Sequence, residues 1–356
     1  MTSALQNGHD DTALARARSY LCVDAFIADM AGACALSTAF ETGVVDHLAQ
    51  HPGCTLASLQ QSLQLDTRGT ALLLEMLTAN RVTRLAGDQL WLTDAFQEAL
   101  VFRDLLEAKL HFARVVAPDF LHLLTALLME PAKFVEHARL FKLFSYQQAL
   151  TASPENYEHT ARWMRLTTAL TRYEADVCIA LHDFSSTRRL LDVGGNSGEF
   201  VLRICKAVPQ VQATVYDLPL VCDIGAAHVA AEPEAARIGF VRHEGADRSR
   251  RALPAGHDLI SFKSMLHDWP DAEMDDFLAR AHAALETGGT LLIFERGELN
   301  LAGRQVAYGQ LPLMLFFRSY RQPDAYCTRL EALGFQSVQV RHVELDMPFM
   351  LITAVK

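Results

Sequence analysis

Metal-binding cysteine pairs are missing from this 356-residue chain. Its seven cysteines, Cys22, Cys34, Cys54, Cys178, Cys205, Cys222 and Cys327, stand singly, with no C-x-x-C spacing. That pattern suggests neither a zinc site nor a disulfide framework, and it predicts a reducing cytoplasm with no metal. Positive charge is scarce as well: 32 Lys and Arg stand against 42 Asp and Glu, a formal net charge of -10. Capture of a phosphate backbone needs clustered Lys and Arg, so nucleic acid is not an expected partner. Long apolar runs are lacking too. Met1 to Arg18 is polar and mixed in charge, and the apolar stretch from Phe26 to Phe40 is broken by Asp29 and too short to span a bilayer, so no membrane or targeting segment is expected. What the chain does have is core material. Half of its residues are hydrophobic and 21% are charged, enough for about two domains by length.

The N-terminal part reads as helical, with Phe26, Ile27, Met30 and Cys34 recurring at three- and four-residue spacing. Thr55 opens a short helix, and Asp66-Thr67-Arg68 caps a second one running to Ala79. The run Arg81 to Leu85, a Gly87-Asp88 turn and Leu90-Trp91-Leu92 then predict a β-hairpin wing. This is a winged-helix pattern. Its would-be recognition helix carries only Arg68 and Glu75 as charges, whereas base reading needs outward Arg, Lys, Asn or Gln. Dimerisation through an apolar helix face is the expectation, with a ligand-sensing regulator as the alternative.

From Arg103 to Phe184 no strand signal appears, and Ser153-Pro154-Glu155 starts a helix. Strands and helices alternate afterwards. The expected strands are Arg189 to Val193, Gln212 to Tyr216, Ile238 to Arg242, Asp258 to Phe262 and Thr290 to Glu295, which predict a doubly wound parallel sheet. Gln336 to Arg341 and Met350 to Val355 add a terminal antiparallel hairpin. The fold class is therefore α/β: a methyltransferase-type Rossmann sheet with a terminal hairpin, preceded by an α-helical winged-helix dimerisation domain. The expected domains are 1–102, a helical connector 103–185, and a cofactor domain 186–356.

The first strand breaks into Asp192-Val193-Gly194-Gly195-Asn196-Ser197-Gly198, ahead of a helix from Glu199 to Ala207. Glycines there permit positive φ and let backbone N–H groups approach a ligand at the helix N-terminus. A dinucleotide fingerprint would need a glycine where Val193 stands, so a nicotinamide dehydrogenase fits poorly. Asn196 occupies a centre often held by glycine, and Asn tolerates left-handed backbone.

In open α/β sheets ligands lie over the carboxyl ends of the strands. Asp217, followed by Leu218, ends the second strand, where a carboxylate suits two ribose hydroxyls. Asp247, followed by Arg248, comes after the third and suits an adenine amino group. After the fourth comes Lys263-Ser264-Met265-Leu266-His267-Asp268-Trp269-Pro270, and Pro270 with Asp271 and Glu273 suits the first turn of a helix. The helix dipole is expected to keep His267 neutral and able to accept a proton, its reference pKa being ~6.5. Glu295, ending the fifth strand, is placed to hold the other imidazole nitrogen. Leu311 to Phe317, which includes Phe316, supplies apolar walls for a flat acceptor.

Together these residues resemble the small-molecule O-methyltransferases that use S-adenosylmethionine, the plant caffeate type and its bacterial relatives. The resemblance runs over nearly the whole chain. It implies that Gly194, Gly195, Asn196 and Gly198 shape the cofactor loop, that Asp217 and Leu218 meet the ribose, and that Asp247 and Arg248 meet adenine. It further implies that Lys263 lies along the cofactor and that Thr168 helps hold its methionine part. Trp163, Met164, Met265 and Phe316 would face a small aromatic acceptor. His267 would be the base, with Glu295 and Asp268 in the catalytic set, and the chain would be a homodimer. One departure concerns mechanism. The second acidic residue that family members place near the base is absent, and its position falls on Tyr320 or Arg321. Methylation of nitrogen or carbon, or a reaction without methyl transfer, is the alternative at the same cofactor site.

Overall fold

The computed structural model describes residues 11–243, 252–303 and 305–356. They form two compact units. One comprises Ser19–Leu140 and Leu301–Leu315; the other comprises Phe141–Asn300 and Phe316–Lys356 together with the N-terminal segment up to Arg18.

In the first unit, helix α1 (Leu56–Leu63) starts where the Thr55 hydroxyl accepts the Ser58 N–H at 3.2 Å. Helix α2 (Thr67–Ala79) starts where the Asp66 carboxylate accepts that of Gly69 at 2.6 Å. Each cap satisfies an N–H that the helix itself leaves without a partner. Strands β1 (Cys54–Thr55), β2 (Thr83–Ala86) and β3 (Gln89–Leu92) make a small antiparallel sheet in the order β1-β3-β2, completing the winged-helix pattern. Helix α2 buries Thr70, Leu74 and Leu77 and leaves Leu72 exposed.

Helix α3 (Arg103–Met129) is long and apolar enough, by length and composition, to cross a membrane. The sequence reading does not single it out. Two ionisable groups on it are buried and engaged: Lys109 pairs with Asp24 at 2.6 Å, and the Asp119 carboxylate accepts the N–H groups of Arg139 and Leu140, each at 2.9 Å. Buried charge held this way belongs to a protein core.

In the second unit, helix α4 (Pro154–Leu181) is capped by Ser153, whose hydroxyl accepts the Asn156 N–H. Seven strands follow: β4 (Arg189–Val193), β5 (Gln212–Asp217), β6 (Ile238–Arg242), β7 (His257–Lys263), β8 (Leu285–Arg296), β9 (Gln336–Glu344) and β10 (Pro348–Val355). Their order is β6-β5-β4-β7-β8-β10-β9. The first five are parallel, and β10 runs antiparallel to both neighbours. Leu191, Val193, Ile260, Phe262, Leu291, Ile293 and Ile352 are all nearly inaccessible, the unbroken apolar runs of a sheet covered on both faces. Helix α5 (Glu199–Ala207) follows β4, α6 (Asp271–Ala284) follows β7, and α7 (Pro323–Ala332) precedes β9. The chain moves outward from β4 to β6 and returns to β7 on the other side. A crevice therefore opens over the carboxyl ends of β4 and β7.

Two expectations differ from this picture. The stretch 103–185 is no body of its own: α3 belongs to the first unit and α4 to the second, because a run of amphipathic helices buries its apolar faces in whichever core each one meets. Strand β8 also begins earlier than Thr290. Its pairing with β7 jumps from His257↔Leu285 to Leu259↔Thr290, so the Gly288-Gly289 pair falls within a register shift.

Candidate active site

The turn after β4 has left-handed backbone at Gly194 (φ 71°), Asn196 (φ 55°) and Gly198 (φ 76°). Asn196 holds the conformation its side chain was expected to tolerate. Gly195 is required for space: a Cβ there would lie 2.5 Å from Asp192 Oδ2. A Cβ on Gly194 would meet Met265 Cγ at the same distance. Asp217 accepts the Asn196 N–H on Oδ2 at 2.8 Å and the Leu218 N–H on Oδ1 at 2.7 Å, which ties the end of β5 to the turn. Thr168, on α4, donates to the Ser197 hydroxyl at 2.7 Å, and Asn196 Nδ2 donates to the Thr167 hydroxyl at 3.1 Å. Thr168, Gly194, Gly195, Asn196, Gly198, Asp217 and Leu218 are thus brought together. Asp247 and Arg248 lie outside the described residues.

Asp192 is a residue the sequence reading quoted without giving it a role. It is 1% exposed. Its Oδ1 accepts from the Ser261 hydroxyl at 2.6 Å, while Oδ2 has no partner among the described residues. Burial pushes its pKa up to about 7, against the Ser261 hydrogen bond and the Lys263 charge, which pull it down. An orphaned carboxylate oxygen beside a glycine with no room for a side chain fits a ligand carrying a donor or cationic group. The available signal was an acid in the middle of an otherwise apolar strand.

Lys263 has its side chain engaged within the protein. Its ammonium reaches α4, where Glu174 and the Thr171 hydroxyl (2.9 Å) hold it. The other oxygen of Glu174 takes Arg296 Nη2, and Arg296 Nη1 donates to the Ser264 hydroxyl at 2.8 Å. The Lys263 ammonium is thus part of a buried Lys263–Glu174–Arg296 group, since an ammonium at 7% exposure requires a counter-charge.

His267 sits in a single 3₁₀ turn, Leu266–Asp268. Its Nδ1 is 2.8 Å from Oε1 of Glu295, which is fully buried and also accepts the Arg296 N–H. Its Nε2 is 3.4 Å from Asp268 Oδ1, and Asp268 Oδ2 accepts the Tyr146 hydroxyl at 2.8 Å. Two carboxylates therefore bracket one ring. Burial favours the neutral imidazole, but Glu295 and Asp268 outweigh it, and the His267 pKa is raised. Burial raises the Asp268 carboxyl as well. For Glu295 burial works in the same upward direction, yet His267 and the Arg296 N–H overcome it and hold the carboxyl low. The expectation that a helix dipole keeps the ring neutral is corrected here: α6 begins only at Asp271, and the nearer carboxylates decide. When the ring is neutral with Nδ1–H on Glu295, Nε2 is the atom free to take a proton.

Aromatic rings surround the base. Phe316 meets His267 edge to face at 6.1 Å, and Tyr320 lies tilted against it at 5.6 Å. Phe144, which the sequence reading missed with Tyr146, joins Phe316 (6.2 Å) to Trp163 (6.1 Å). Met164 is buried in the same cluster as Trp163 and Leu218. Of the two residues at the position of the absent second acid, Tyr320 faces the base. Arg321 instead donates to the carbonyls of Leu266 (3.0 Å) and Trp269 (2.5 Å) and pairs with Asp271, fastening the turn that carries His267. Among the described residues no group of three or more His, Cys, Asp or Glu is placed to hold a metal ion.

The model of the O-methyltransferase domain matches residues 128–336, more than half of the chain. The chain belongs to that family. The match runs from the end of α3 to the start of β9 and so includes every site residue named above. Among curated proteins, this family member is 38% identical over 113 residues to 3-hydroxy-5-methyl-1-naphthoate 3-O-methyltransferase of Streptomyces sahachiroi, covering 32% of each chain. It is 30% identical over 176 residues to 3-amino-4-hydroxybenzoate 4-O-methyltransferase of Streptomyces cremeus, covering 49% of this chain and 47% of that one. It thus spans about a third of the length of the one and about half of the other. The fold is that of human N-acetylserotonin methyltransferase, solved in complex with S-adenosylmethionine, at a TM-score of 0.61 and 21% identity over 91% of this chain and 93% of that one.

Proposed function

We propose that this chain transfers a methyl group from S-adenosylmethionine to a hydroxyl of a small aromatic acceptor, with His267 as general base. The observation that carries the reading is the 2.8 Å contact of His267 Nδ1 with buried Glu295, next to the glycine turn at the sheet's switch point. The turn Gly194 to Gly198, Asp192, Asp217, Leu218 and Thr168 would hold the cofactor, with Asp247 and Arg248 completing its adenine end. When bound, S-adenosylmethionine supplies a methyl group on an already activated, positively charged sulfur. The protein's share is alignment and a base. Alignment of two reactants is worth up to roughly 7–11 kcal/mol in favourable cases. A phenol with a pKa of ~10 keeps its proton at neutral pH, and a base in contact contributes about 10²–10⁴-fold. His267 Nε2 takes that proton, Glu295 holds the imidazolium that results, and Asp268, kept in place by Tyr146, faces it from the other side.

Trp163, Met164, Met265 and Phe316 form the acceptor's apolar wall in this reading, and the named relatives act on hydroxylated aromatic acids. A homodimer through the winged-helix unit and a cytoplasmic compartment belong to the same proposal. The exposed Leu72, Leu121, Met129 and Val135 of that unit support the first. The test is product mass after incubation with cofactor labelled in the methyl group and a panel of phenols. Label on an acceptor oxygen supports the reading. Turnover that leaves the label on the cofactor, or that places it on nitrogen or carbon, refutes it.

A further inference from the structure

Six side chains close a circuit that includes the base. His267 meets the Phe316 ring at 6.1 Å, Phe316 meets Phe144 at 6.2 Å, and Phe144 meets Trp163 at 6.1 Å. Trp163 stands edge to face with Tyr146 at 5.4 Å, the Tyr146 hydroxyl donates to Asp268 at 2.8 Å, and Asp268 returns to His267 Nε2 at 3.4 Å. Trp163 is thus the member across from the base. The circuit also adjoins the cofactor turn. On α4, Trp163 comes one helical turn before Thr167 and Met164 one turn before Thr168, and those two hydroxyls engage Asn196 and Ser197.

One polar atom of this circuit is left unmet. Trp163 is 4% exposed, and its indole N–H, which can only donate, has no partner among the described residues. The buried side chains it clusters with, Ala149, Met164, Leu218, Leu220 and Val221, offer no oxygen. The hydroxyl of neighbouring Tyr146 is committed to Asp268. A buried donor without a partner, beside an acceptor site, marks a place that a ligand completes. Charge narrows the choice of oxygen. Asp268 in the circuit and Glu295 behind His267 are acidic, and no Lys or Arg belongs to the circuit. A carboxylate on the acceptor would be desolvated among like charges, with one neutral donor to offset the cost. A neutral carbonyl asks only for the hydrogen bond.

We propose that Trp163 is a specificity-determining residue: its indole N–H donates to a neutral carbonyl oxygen, that of a ketone or quinone, borne by the acceptor on the side away from the hydroxyl that His267 deprotonates. This deepens the function proposed above and rests on it. The acceptors are hydroxyaryl ketones and hydroxyquinones, with aromatic acids and plain alkylphenols binding less well. A site that donates to an oxygen discriminates against the analogue lacking it, because the donor then stays buried and unpaired.

The test uses the full chain saturated with S-adenosylhomocysteine. Calorimetry compares meta- and para-hydroxyacetophenone with the matching ethylphenols and hydroxybenzoates, and 6-acetyl-2-naphthol with 6-ethyl-2-naphthol for a longer reach. At least one ketone should bind about tenfold tighter than its ethyl counterpart, and no acid should bind tighter than its ketone. The chain has three tryptophans, so a nitrogen-15 spectrum carries three indole signals, and the one absent from Trp163→Phe belongs to Trp163. That signal should move downfield when the ketone binds and stay near its free position with the ethyl analogue. Trp163→Phe should bind ketone and ethyl analogue alike. So should a chain with benzothienylalanine at position 163, which keeps the shape of the indole and replaces its N–H by sulfur; S-adenosylhomocysteine affinity is the folding control for both. Ketones held no tighter than ethyl analogues, whether both bind or neither does, overturn the inference. Acids held tighter than ketones, or a ketone preference that survives loss of the N–H, overturn it as well. Ketone-selective binding without any methyl transfer leaves the role of Trp163 standing and refutes the proposed reaction, whereas methyl transfer without that selectivity does the reverse.

Discussion

Replacing Glu295 by Gln removes the charge from the 2.8 Å contact with His267 Nδ1 and keeps an oxygen that can accept its proton. The ring should stay in place, and its basicity should fall. A hydrogen bond to a charged group is worth about 1.5–3 kcal/mol. At 1.36 kcal/mol per pKa unit that amounts to a downward shift of roughly one to two units. Asp268 stands on the far side at 3.4 Å and keeps part of the raised affinity for a proton, so the lower half of that range is expected. The kcat/KM of the wild type should rise with pH along an acid limb above the ordinary imidazole value of ~6.5. In Glu295→Gln the limb should move to lower pH. The plateau should fall about 10- to 100-fold, because the same interaction no longer stabilises the imidazolium as the proton arrives. The assay is methyl transfer to a phenol across pH 5 to 9, with S-adenosylhomocysteine affinity as the folding control. A limb that stays put or moves upward would refute the claim that Glu295 sets the basicity of His267.

Asp192→Asn should weaken S-adenosylmethionine binding, and the wild-type affinity for this cation should strengthen as pH rises through about 7, where the buried carboxyl ionises; calorimetry at pH 6 and 8 checks both, and the Asn variant should show less dependence on pH. Gly195→Ala places a Cβ 2.5 Å from Asp192 Oδ2, and overpacking of this kind costs about 1–3 kcal/mol, so thermal denaturation should show a lower melting temperature. The raised folded pKa of His267 gives a stability contribution that is complete below the unfolded value of ~6.5 and is lost as pH climbs through the folded value. The difference in unfolding free energy between wild type and Glu295→Gln, from urea titrations, should therefore shrink from pH 6 to pH 9.

Most of the strand plan was legible because β4 to β7 are short, largely apolar runs, β4 breaking into Gly194 and β5 ending on Asp217, and because β8 carries Glu295 near its carboxyl end. The caps at Thr55, Asp66 and Ser153 were readable for a similar reason: each supplies a side-chain oxygen to a nearby N–H. The charges around the base were not. Whether His267 is neutral depends on how close Asp268 comes to Nε2 and on Tyr146, 122 positions away, holding that carboxylate. Lys263 illustrates the same limit. Its position after β7 was plain, yet its partner Glu174 comes from a helix 89 positions earlier, and nothing in local spacing announces the pair. Asp192 was visible as an acid in an apolar strand, but its unpartnered oxygen appears only once Ser261 and Gly195 are packed around it.

The most direct measurement is the single-turnover rate of methyl transfer by His267→Ala to a weakly acidic phenol at pH 7, made alongside its affinity for S-adenosylhomocysteine. The account predicts a rate lower by about 10²–10⁴-fold with cofactor affinity unchanged, and partial recovery at high pH, where the phenol ionises by itself. An undiminished rate at pH 7 would contradict the assignment of His267 as the base.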